Sequence, residues 1–162
     1  EMALGLAGIM ALWLGIMGVA SASGLIHKLA RLLRPVMHWL FPDVPHDHPA
    51  MGAMILNISA NMLGLANAAT PFGLKAMKEL QRLNTHVHTA SNAMCTFLTI
   101  NTSSVQLIPA TAMALLAANG SVQPSSIILS SLIATSVSTC VGLIAVKQFE
   151  KLPFYRIKSE DV

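Results

Sequence analysis

From Leu83 to Val146 the chain carries no Asp, Glu, Lys or Arg, and the same holds from Met2 to Ile26. What remains of a 162-residue protein is too short to cover two such tracts, so water alone is excluded as the solvent. A spanning helix needs about 20 apolar residues, and both tracts are long enough to supply one. Composition agrees, with 54% hydrophobic and only 10% charged residues, where a soluble domain has about 25% charged. The chain is expected to be an all-α integral membrane protein.

Residues 2–26 read as a first span. A signal peptide fits poorly, because the apolar run is too long and the basic residues follow it. Ala7, Ala11 and Gly15, then Gly18 and Ala22, are spaced by four. That spacing admits a neighbouring backbone, although Gly and Ala are frequent in membrane helices in any case. Residues 27–41 read as an interfacial helix, with Lys28, Arg31 and Arg34 on one face, Leu25, Leu29, Leu32 and Leu33 on the other, and Trp39 and Phe41 as headgroup anchors. Pro42, Pro45 and Pro49 end it. Residues 50–66 are apolar but hold Asn57, Ser59 and Asn61. Thr70-Pro71 then has the form of an N-cap and first-turn proline that open a new, basic helix. Residues 89–118 are a broken span, interrupted at Asn101–Ser104 and again at Pro109, and 126–146 form a last span. The domain is thus expected over 1–146, with 147–162 as a polar tail or linker. Because the chain opens on Glu1, a trimmed or fragmentary product is expected, and an earlier helix stays open.

Charge sets the topology. Basic residues cluster at 28–34, 75–82 and 147–158, whereas the turn at 119–125 has none. The positive-inside bias places all three clusters in the cytoplasm, so the chain cannot cross completely between the first and the second. Residues 50–83 are therefore expected to enter, turn near Gly64–Pro71 and leave on the same side as a re-entrant hairpin with arms of about 14–17 residues. Irregular backbone at that depth needs a polar partner or cavity.

Asn57, Asn61, Asn67 and Thr70 at the hairpin, with Asn101, Thr102, Ser103 and Ser104 facing them, are the candidate substrate- or ion-binding residues. The alternative is that these groups only satisfy the helix breaks. Lys75, one turn beyond Pro71, is a further candidate as an intramembrane cation, with snorkelling to the interface as its alternative. His46, Asp47, His48, His86 and His88 suit solvated loops better than a metal centre, and no metal is expected. Sodium on neutral oxygens is the coupling ion such a site would take; no other cofactor is expected. Cys95 and Cys140 lie in apolar tracts without a disulfide pattern. Neither Ser103 nor Ser104 sits in a nucleophile motif, so no enzyme is expected. The net charge of +3 comes from segment ends and suits anionic lipid, not nucleic acid.

Three stretches carry a resemblance: DHPAMG at Asp47–Gly52, NMLGLANAATPFGLKAM at Asn61–Met77, and FLTINTS at Phe97–Ser103. They resemble the spore maturation protein A family over about residues 10–146. That family lies within the Gate, or nucleoside-recognition, group, whose members resemble parts of concentrative nucleoside transporters and of the ferrous iron transporter's membrane core. The resemblance implies a multi-pass protein of the bacterial inner membrane. It implies a partner as well, a spore maturation protein B-like Gate protein or a second half fused after the tail, and oligomers are compatible with it. The expected function is a transporter-like subunit forming half of a polar-solute pathway. A non-transporting scaffold for a peptidoglycan enzyme is the alternative.

Overall fold

In the computed structural model the described residues are 8, 11, 15, 19, 22–86 and 88–152. The expected span at 2–26 lies almost entirely outside them, as does the tail beyond 152. Every regular element among them is helical: α1 Leu25–Leu40, α2 Pro49–Met62, α3 Ala66–Leu83, α4 Asn92–Ser103, α5 Ala110–Ala118, a 3-10 turn Pro124–Ile127, and α6 Ile128–Phe149. Pro124–Phe149 is, among the described residues, the one helical stretch long and apolar enough to cross a membrane.

α1 keeps Lys28, Arg31 and Arg34 exposed and turns Met37 and Leu40 into the core, as its amphipathic pattern demands. Leu32 and Trp39 stand outside, 71% and 81% exposed. Phe41, predicted as a headgroup anchor, is instead 2% exposed inside the core. The reason is that its N–H still bonds the Met37 carbonyl, so the ring ends on the inner side before the chain turns at Pro42. At this corner His38 and His46 meet through their Nδ1 atoms. His48 caps α2 by accepting the Ala50 N–H at 3.2 Å, and Pro49 supplies the preset first helical residue.

α2 and α3 form an antiparallel pair whose turn is closed by a single glycine. Gly64, at φ 74°, donates to the Asn61 carbonyl, and Leu65 donates to Ala60, both at 2.9 Å. This is a Schellman closure, with Leu65 packed beside Ala60 in a small apolar cluster. The sequence pattern predicts a longer turn with Thr70 as cap and Pro71 as first residue, and the structure corrects this: α3 begins at Ala66, and Pro71 lies inside it. Once Gly64 has reversed the chain, continuing residues 66–69 as helix pairs backbone groups that an open loop would leave unsatisfied. Pro71 has no N–H to give the Asn67 carbonyl, so the proline loosens the start of α3 without ending it.

The uncharged tract is broken, but later than the expected Asn101–Ser104: residues 101–103 stay helical, their side chains bonding back to the preceding turn. α4, capped by Ser91, whose Oγ accepts the Met94 N–H, stops at Ser103, and α5 starts at Ala110. Between them Leu107 N–H reaches the Met62 carbonyl at the hairpin tip, 2.9 Å away, and Gln106 N–H reaches Thr135 Oγ1 of α6 at 3.2 Å. α6 approaches α4 closely at Gly142, where a Cβ would come 3.1 Å from Thr99 Cγ2. Its last turn is tied down by Glu150, which takes hydrogen bonds from Thr96 Oγ1 at 2.8 Å and from Lys147 Nζ at 3.0 Å. The core fills the space between the end of α1, α2, the second half of α3 and α4, around Phe41, Met51, Met54, Leu80 and Phe97.

Two outcomes follow from this geometry. In Gly64→Ala the new Cβ meets the Ile108 carbonyl at 2.6 Å in a left-handed conformation, so unfolding in detergent should show a loss of about 2 kcal/mol or more. Gly52→Ala, whose Cβ meets nothing within 4 Å, should instead gain about 0.5–1 kcal/mol. Second, desolvation first, then the charges of His46 and Arg34, hold the His38 pKa below its ordinary 6.5, with Asp47 opposing. A lowered pKa means that this stabilisation is intact above the unfolded-state value and is lost as pH falls through the folded one. Protection factors of the amides across residues 41–48, corrected for the intrinsic pH dependence of exchange, should therefore fall on acidification from neutral pH, and His46→Ala should flatten the dependence.

Candidate functional site

The two interruptions, at Gly64 and at Ser104–Pro109, are brought side by side, and a row of amides runs past them. Asn57 Nδ2 donates to the Ala69 carbonyl of α3 at 2.9 Å. Asn61 Nδ2 donates to Asn101 Oδ1 at 2.9 Å and lies 3.5 Å from Asn57 Oδ1. Asn101 Nδ2 in turn donates to the Phe97 carbonyl at 3.0 Å. The row thus links α3, α2 and α4 through three side chains. Each amide spends its N–H on the protein, while Asn61 Oδ1 accepts no hydrogen bond among the described residues.

Small residues make the row fit. A Cβ on Gly73 would stand 2.8 Å from Asn57 Nδ2, so only glycine there lets Asn57 reach over α3 to Ala69. Asn57 is 3% exposed, and a buried amide must have its donors satisfied. Asn61 and Asn101 are half-buried. Together with Thr70, Gly73 and Met77 these asparagines line an open cavity of about 380 Å³ between α2, α3 and α4. Ser104 and Gln106 line a smaller hollow of about 70 Å³ beside it, shared with Asn61.

Not every candidate residue comes to this place. Thr102 is exposed and bonds back to the Leu98 carbonyl at 2.9 Å; Ser103 bonds back to Thr99 at 2.8 Å and packs against Gly142. Such back-bonding to the preceding turn is the usual outlet for a hydroxyl in an apolar helix. Lys75 is exposed on α3 and lines neither cavity. The side chain of Asn67 lies outside the described residues. Among those residues no three His, Cys, Asp or Glu gather in a way that would hold a metal ion. Gly64 and Gly73, passed over as candidates, prove to shape the site. Their signal was present in NMLGLANAATPFG, where each glycine interrupts an otherwise good helix pattern.

The family model described as Gate, nucleoside recognition, matches residues 3–150. The chain belongs to the Gate family. It is 43% identical over 156 residues to spore maturation protein A of Bacillus subtilis (strain 168), an alignment covering 96% of this chain and 78% of that protein. Membership extends to the spore maturation protein A group, as the three sequence stretches imply, and makes this a membrane protein. No solved structure matches the chain. In this Gate protein the matched region contains both helix breaks and the whole amide row.

Gly73→Ala should dislodge Asn57 from Ala69 and cost about 1 kcal/mol in detergent unfolding, close to the cost of Asn57→Ala. Because both remove one contact, the double variant should lose no more than the worse single one.

Proposed function

We propose that this Gate protein is a transporter-like subunit that builds one half of a polar-solute pathway across the bacterial inner membrane, the other half coming from a second Gate domain. The observation that carries the reading is the amide row, Asn57, Asn61 and Asn101, set where two helices are interrupted and facing a cavity with one side open. A transporter site needs neutral polar groups and helix ends converging in the interior of the membrane, where lone polar groups are costly. The open side is where a companion domain would supply the missing wall. A protein B-like Gate protein of the same system, separate or fused, is the partner of the right kind.

In this reading α2 and α3 re-enter the membrane from the cytoplasmic face and α6 crosses it. The 14 residues of α2 extend about 21 Å, short of the roughly 30 Å hydrocarbon layer. Arg82 and Lys78 near the end of α3 then return to the same side as Lys28, Arg31 and Arg34 of α1, in line with the positive-inside bias. α1 lies along that surface with Leu32 and Trp39 in the lipid.

The test is flux. Purified chain reconstituted in vesicles with its companion Gate protein is expected to take up labelled polar solutes, nucleosides first among them, and the chain alone to do so poorly. Asn61→Ala should reduce uptake by about tenfold, the equivalent of roughly 1.4 kcal/mol. Unimpaired physiological function in Asn61→Ala and Asn101→Ala cells would favour the scaffold alternative and end the transport reading.

A further inference from the structure

Behind the amide row lies a second, partly open cavity between α1, α2, α4 and α6, of about 160 Å³. Its walls are apolar except for Asn61, Asn101, Ser104 and Thr139, and no charged side chain lines it. Thr139 is 8% exposed, and its Oγ1 is the one buried side-chain polar atom among the described residues with no hydrogen-bond partner. Its neighbours on the helices behave otherwise. Thr135, one turn earlier, donates to the Ser131 carbonyl at 2.7 Å and accepts the Gln106 N–H; Thr99 and Ser103 bond back to the turn before them. Thr139 has the same outlet available and does not use it.

We infer that this cavity is a binding site for a small uncharged molecule that hydrogen-bonds to Thr139, separated from the open cavity by the Asn61–Asn101 hydrogen bond. Three observations define the occupant. The unpaired hydroxyl requires a partner, because leaving it empty in an apolar surrounding is costly. The volume of about 160 Å³ equals about five waters, which sets the upper size. The lining holds no charged side chain, which favours an uncharged occupant, since only a few neutral groups are present to compensate a buried charge. Asn61 and Asn101 line both this cavity and the open one, and Asn61 the small hollow as well. Their amide bond is therefore the partition between the two cavities.

The inference goes beyond the pathway reading, and its readouts need no flux: a chain that moves nothing can pass, and one that transports can fail. Cys95 and Cys140 are exposed, so both are replaced by Ala and Thr139→Cys is introduced in the full chain. Neutral methyl methanethiosulfonate is expected to modify this thiol faster than its trimethylammonium-ethyl counterpart by about an order of magnitude. Asn61→Ala should speed the neutral reaction, and acetamide, but not tetramethylammonium chloride, should slow it. Equal rates with both reagents, no reaction with either, or no protection by acetamide would each overturn the assignment. Should Thr139→Cys fail to fold, Thr139→Val decides: acetamide should raise the melting point of the unaltered chain and of Thr139→Ser by about 2–4 °C and leave that of Thr139→Val unmoved. An equal rise in all three, or none in any, would mean that nothing is held at this hydroxyl, and the site would be lost.

Discussion

The Met62 carbonyl, at the end of α2, receives the Leu107 N–H from the gap between α4 and α5. Everything around the site depends on this exchange. A helix end and a helix gap each leave backbone groups that would find no partner in hydrocarbon. Placed against each other they share partners, the Met62 carbonyl taking the N–H of both Leu107 and Ile108. The exchange requires that the turn after Met62 be tight enough for the gap to approach, which Gly64 provides by having no Cβ to meet the Ile108 carbonyl. It also requires that the gap be held from behind, which Thr135 does through the Gln106 N–H.

The asparagines extend the same logic to side chains. Asn57 and Asn101 each spend their N–H on a carbonyl of a helix, and Asn61 lies between them. Amides suit this position because one group both donates and accepts without carrying charge. A row of carboxylates and lysines would make stronger pairs, but at a far larger desolvation cost. Neutral polarity at this junction is compatible with a membrane interior and still leaves Asn61 Oδ1 without a donor among the described residues.

Much of the architecture could be read directly from residues. The charge-free tract implied helices, a break was marked at Asn101–Ser104 and at Pro109 although the helix runs on through Ser103, and Lys28, Arg31 and Arg34 outlined the exposed face of α1. Local grammar misled where two signals competed. Thr70-Pro71 is a good helix start by composition, but Gly64 had already reversed the chain, and backbone pairing favoured helix through Pro71. Phe41 resembled an anchor because aromatic residues often are, yet its direction was decided by the bond from its own N–H to Met37. At the site, Asn57, Asn61 and Asn101 were legible as polar residues in apolar surroundings. Which carbonyl each would bond, and that Thr102 and Ser103 would turn back to their own helix, depended on packing between elements distant in sequence. The unpaired hydroxyl of Thr139 is likewise invisible in a list of residue types.

Among the described residues α6 touches its neighbours along one strip, through Thr135, Thr139, Gly142 and Leu143, while Leu129, Ile133, Val137, Val141 and Ile144 are exposed. The information that this helix carries is therefore concentrated in roughly one residue per turn. Elsewhere its letters are interchangeable among apolar side chains, so drift along the outward face would leave the junction undisturbed. A change on the strip, by contrast, would be felt at Gln106 and at the amides in front of it, even though α6 contributes no residue to the amide row itself.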